Sequence, residues 1–157
     1  MVYFLAVDGP VDLPEPTRRS GELWIKRTCQ IPPELDGSAC VYEFGQWEYG
    51  ELGSCPSLNN ARFPWDGAPE EPYVVACFDA MKNIVTLACL QKLSPRILSF
   101  WDHDAETGIE VRRKMSPKHL VPSREIFDDV LASGRLNPCT LITFEETVKQ
   151  PETEYVL

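Results

Sequence analysis

The sequence predicts an α+β fold, a single domain with a mostly antiparallel sheet and two main helices. Two observations predict it: candidate strands outnumber candidate helices, and no strand–helix–strand rhythm runs along the chain. The 157 residues match the size of one domain, 1–157. Such a chain buries about two-thirds of its unfolded surface, so it needs no metal or disulfide staple to fold. With 43% hydrophobic and 25% charged residues, the composition is that of a globular protein.

The elements follow in order. Val2 to Val7 is an apolar, β-branched and aromatic run that reads as a buried strand. Gly9, Pro10, Pro14 and Pro16 make the next stretch a loop. Residues 23–31 alternate as a strand that Pro32 and Pro33 end. Residues 40–49 read as another strand, with Gly45 marking a bend. From about 50 to 72 the many Gly, Pro and Asn residues predict a long irregular connection, in which Phe63 and Trp65 are anchors.

Residues 73–78 read as a buried strand. Asp79 then reads as the N-cap of a helix to about Leu93, with Met81, Ile84, Val85, Ala88 and Cys89 on one stripe. A strand over 84–90 is the rival reading, and Pro95 stops either one. Residues 97–101 and 109–115 read as a hairpin turning through 104–108. The second helix spans 123–133. Ser123 caps it, Glu125 suits its positive end, and Ile126, Phe127, Val130 and Leu131 form its apolar stripe. Gly134 stops it. Asn137 and Pro138 turn the chain into a last strand over 139–144, and a charged tail follows, frayed from about 147 to 157.

The charge is concentrated. Between Glu34 and Asp79 there are nine acidic residues and one basic residue, Arg62, a balance of −8 in a chain of −9. The same window holds Tyr42, Phe44, Trp47, Tyr49, Phe63, Trp65, Tyr73 and Phe78. Trp and Tyr are enriched at interface hot spots, and an acidic surface steers a basic partner. The partner-binding set is therefore Glu43, Trp47, Glu48, Tyr49, Glu51, Trp65, Asp66, Glu70 and Glu71. The plainer alternative is a solvated acidic face over ordinary core aromatics.

The catalytic inventory is thin. His103 and His119 are the only histidines. Asp102, His103 and Asp104 could hold a metal, but on a strand the two aspartates share a face that the histidine does not, and a turn there favours Asp anyway. The six cysteines, Cys29, Cys40, Cys55, Cys77, Cys89 and Cys139, form no CxxC pair. Most lie in apolar runs, as small reduced hydrophobes do. Cys139, after Asn137 and Pro138, is the least clearly buried. Paired with a histidine, a cysteine could serve as a nucleophile, but none stands at a helix start among basic residues. Gly-rich phosphate loops and the GxSxG elbow are absent. Arg112, Arg113, Lys114 and Lys118 form the one basic cluster, read as a solvated hairpin edge rather than a nucleic-acid footprint. No catalytic residue, metal or cofactor is expected. The short apolar start lacks the form of a signal peptide and no run is long enough to span a bilayer, so a soluble, cytoplasmic protein is expected.

Two stretches resemble a known family. The opening Val2-Tyr3-Phe4-Leu5, and the run from Ile126 to Leu136 leading into Thr140-Leu141-Ile142-Thr143-Phe144-Glu145-Glu146, resemble bacterial immunity proteins that neutralise a cognate polymorphic toxin. The resemblance is confined to those stretches. It implies a cytoplasmic α+β inhibitor that blocks a toxin domain and catalyses nothing. The expected function is thus a protein-binding inhibitor with an acidic, aromatic surface. Its expected partner is a basic protein surface, a toxin domain, with no membrane and no direct nucleic-acid contact. The alternatives are a small cysteine- or carboxylate-dependent hydrolase and a structural subunit of a larger assembly.

Overall fold

The computed structural model describes residues 2–13, 24–48, 51–54, 72–100, 108–120 and 138–156. Within them the chain forms strands β1 (Val2–Val7), β2 (Trp24–Arg27), β3 (Cys40–Glu48) and β4 (Glu51–Ser54), then helix α1 (Pro72–Leu90). Strands β5 (Arg96–Phe100), β6 (Val111–Met115), β7 (Thr140–Phe144) and β8 (Glu152–Tyr155) follow. The eight strands make one sheet in the order β2-β3-β1-β5-β7-β6-β8, with β4 added to the far end of β3. This is an α+β fold with a mostly antiparallel sheet. Among the described strands only β6 and β7 pair in parallel. None of the described helices is long and apolar enough to cross a membrane.

β1 lies near the middle of the sheet, and every residue from Tyr3 to Val7 is buried. Burial on both faces explains why the run is continuously apolar instead of alternating. Tyr3, Leu5 and Val7 join Ile97, Ile142 and Phe144 beneath α1, which contributes Met81, Ile84, Val85 and Ala88. On the other face Phe4, Ala6, Val41, Leu98 and Leu141 pack with Leu35, which sits on a 3-10 turn, Pro33–Leu35. Burying one such aliphatic side chain contributes roughly 1.5–3 kcal/mol.

α1 departs from the sequence reading. The stretch predicted as a strand over 73–78 is the first half of a single helix that begins at Pro72. Proline at the first helical position costs nothing, because that N–H has no partner in the helix. The i, i+3, i+4, i+7 spacing of Met81, Ile84, Val85 and Ala88 continues backwards in sequence to Cys77 and Val74. A short apolar run does not by itself separate strand from helix. Asp79 is consequently an exposed mid-helix residue and not an N-cap.

The helix ends in a Schellman motif. The Lys92 N–H donates to the Cys89 carbonyl at 2.9 Å and the Leu93 N–H to the Ala88 carbonyl at 3.0 Å. Lys92 adopts φ 57° to make this turn and Ser94 adopts φ 46°. Close by, the Asp8 N–H donates to the Leu93 carbonyl at 2.9 Å, which ties the end of β1 to the end of α1. A Cβ on Gly9 would stand 3.2 Å from Leu93 Cδ2, so the chain approaches closely there.

Three further expectations change. β5 and β6 form no hairpin with each other: β7 lies between them, antiparallel to β5 and parallel to β6. Parallel neighbours need a crossover of a dozen residues or more. Residues 116–139 supply it, and the second main helix expected over 123–133 falls there, outside the described residues. The tail expected to be frayed carries Val148, which is buried, and β8, which pairs with β6. Finally, the strand predicted over 23–31 is only the four residues of β2.

Candidate functional site

The acidic window contributes one piece of local geometry. β3 and β4 form an antiparallel pair joined through residues 49–50, with Trp47 opposite Leu52 and Glu48 opposite Glu51. Three of the nine predicted partner-binding residues are thereby brought to one end of the sheet. Like charges at directly opposed positions are destabilising. Glu43 lies apart, five positions back along β3, about 16 Å at the rise of an extended strand. It is half-buried and stands opposite Lys26 on one side and Phe4 on the other. Tyr49, Trp65, Asp66, Glu70 and Glu71 lie outside the described residues.

The basic cluster is not a hairpin edge. β6 is flanked by β7 and β8, and the two glutamates of β8 stand against its cations: Glu154 opposite Arg112 and Glu152 opposite Lys114. Lys114 Nζ also lies 3.0 Å from Glu145 Oε2. Arg113 points to the other face, is 9% exposed, and donates from Nη1 to Thr153 Oγ1 at 2.9 Å. Two cations of β6 thus face glutamates across the ladder, and Lys114 is also paired with Glu145. Together Arg112, Lys114, Leu141, Thr143, Glu152 and Glu154 line a shallow groove of about 440 Å³ with both signs of charge. The sequence signal for this arrangement was an alternating Glu-Thr-Glu-Tyr matching Arg-Arg-Lys, too short and polar to stand out as a strand.

Cys139, the least clearly buried cysteine by sequence, is 4% exposed, and its backbone N–H donates to Glu110 Oε2 at 2.9 Å. Burial pushes the Cys89 thiol up to about 11, and the Glu146 carboxylate adds to the rise. A nucleophilic cysteine needs the opposite shift. Cys40 is buried and Cys29 exposed. His119 closes a 3-10 turn, Pro117–His119, packed near α1, with a buried Nδ1 that has no hydrogen-bond partner. Asp102, His103 and Asp104 lie outside the described residues. Among the described residues no group of three or more His, Cys, Asp or Glu side chains is placed to hold a metal ion.

Comparison with protein-family models, curated proteins and solved structures finds no match to this chain.

Proposed function

We propose that the chain is a protein-binding inhibitor, an immunity protein that neutralises a cognate bacterial toxin through the acidic, aromatic segment centred on the β3–β4 hairpin. The observation that supports it most is the register of Glu48 against Glu51, beside Trp47, at the end of the sheet. Two carboxylates at one rung, in a window whose only basic residue is Arg62, favour a cation brought by a partner. Lysines and arginines lining a toxin's site would fill that role, and the neighbouring rings would supply the apolar anchors. Carboxylates standing in for nucleic-acid phosphates are a related form of the same mechanism. The two stretches that resemble immunity proteins point the same way.

The test uses the chain as bait in its native organism, beside a Glu48→Lys/Glu51→Lys variant. The expected result is a basic protein held by the wild type and released by the variant. That protein should stop growth when expressed alone and be harmless when co-expressed with the wild type. Equal retention by both baits, or toxicity that the wild type does not relieve, refutes the proposal.

A further inference from the structure

The two outer strands of the sheet carry opposite charge. β2 stands at one end with Lys26 and Arg27 exposed, and β8 at the other with Glu152 and Glu154 exposed. In an antiparallel ladder, residues whose backbone groups bond the partner strand alternate with residues whose groups point away. The Thr28 N–H donates to the Val41 carbonyl at 2.9 Å, so Lys26 and Thr28 turn toward β3 and the backbone groups of Arg27 face outward. The Val156 N–H donates to the Glu110 carbonyl at 2.8 Å, so Glu152 and Glu154 turn toward β6 and the backbone groups of Thr153 face outward. Tracing directions across the sheet, β2 and β8 run antiparallel to each other. A second copy laid alongside by translation alone therefore meets β2 with its own β8 in antiparallel sense, the same face upward.

We propose that the β2 edge of one copy docks on the β8 edge of the next, head to tail, and carries the sheet from molecule to molecule. With Arg27 set opposite Thr153, Lys26 falls opposite Glu154 and Thr28 opposite Glu152. Ile25 comes beside Tyr155, a residue 48% exposed. Across the junction the row Glu43, Lys26, Glu154, Arg112 then alternates in sign without a break. The same-edge alternatives do not share this match. Two β8 strands about a two-fold axis set Glu154 against Glu154, and two β2 strands set Lys26 against Lys26, both unfavourable. Pro151 lacks an N–H on the outward side and both strands are short, so the joint has few hydrogen bonds and leans on charge. Such a heterologous contact closes into a ring or stays open as a chain. This proposal is independent of the toxin-binding one.

The test is sedimentation velocity on the full chain over a concentration series at low salt. The mass should rise from the 17.8 kDa of one chain and return toward it as salt is added. Arg27→Pro removes an outward N–H from β2 and leaves β8 intact, while Glu154→Lys reverses the charge of β8 and leaves β2 intact. Each variant alone should remain single, and an equimolar mixture should form dimers and nothing larger. A wild type that stays single at every concentration overturns the proposal, as does full association of Glu154→Lys alone or a mixture that fails to pair. If melting curves show that Arg27→Pro has not folded, the association of Glu154→Lys against wild type at two salt concentrations decides the matter alone.

Discussion

Gln91 grips the backbone of Asp12 with both ends of its side-chain amide: Oε1 accepts the Asp12 N–H at 3.0 Å, and Nε2 donates to the Asp12 carbonyl at 3.3 Å. A residue at the end of α1 thereby imitates a rung of a β-ladder for the loop that follows β1. Gln91→Ala should cost about 0.5–1.5 kcal/mol per hydrogen bond at most, and less for the longer one, since the site is exposed. Chemical denaturation measures it. An unchanged midpoint would show that water replaces the clamp at no cost.

Lys92 gives a prediction of the opposite sign. A side chain at φ 57° is strained, and the Schellman turn there needs only backbone groups. Lys92→Gly should raise stability by up to about 1 kcal/mol, because glycine enters that region freely. Lys92→Val, branched at Cβ, should lower it. Thermal melts of both variants give the comparison, and a loss of stability with glycine would contradict the assignment of strain.

Cys89 makes stability fall at high pH. Its thiol titrates at about 11 in the folded chain against an ordinary 9.0, so between those values the folded state holds a proton that the unfolded state has released. Stability from this group is complete below pH 9 and declines as pH rises through the folded value. Cys89→Ala should remove that share of the decline. Denaturation midpoints of both proteins from pH 8 to pH 11 would reveal it, and parallel curves would exclude the effect.

Leu5 and Lys114 should differ sharply when truncated. Leu5 is fully buried on β1, between Tyr42 of β3 and Ile97 of β5. Leu5→Ala should cost about 2–5 kcal/mol through lost burial and the cavity left behind. The Lys114–Glu145 pair spans 3.0 Å, yet its side chains are 43% and 47% exposed, so Lys114→Ala should cost about 0–1 kcal/mol. Equal losses in urea titrations would mean that one of these environments has been misassigned.

Much of the sheet was legible in the sequence because its central strands are buried on both faces and therefore read as unbroken apolar runs. Val2–Val7 is of this kind, and Thr140–Phe144 nearly so, with Leu141, Ile142 and Phe144 buried between β-formers. The first half of α1 was not, because Val74, Val75 and Phe78 satisfy strand preferences locally, and a short apolar run fits either element. β5 and β6 were read as neighbours from nearness in sequence, whereas β7 comes between them from some forty residues downstream of β5. β8 was invisible because all four of its residues are exposed, leaving no hydrophobic pattern to find. Of the predicted surface, the sequence supplied Glu48 and Glu51 as acids but could not show that they share a rung. Nor could it show that Glu43 stands opposite Lys26.

β1 has a further consequence for how the chain is made. β1 finds one neighbour after residue 40 and its other only after residue 96. The partner of that second neighbour begins at Thr140, and β8 closes the outer flank only from Glu152 on. The sheet therefore grows outward from β1 and is complete only once β8 has been made. Such distant pairings favour slow folding. A nascent chain stalled before residue 140 holds Leu98 and Ile97 against β1 alone, with the flank that β7 would cover still open to other polypeptides.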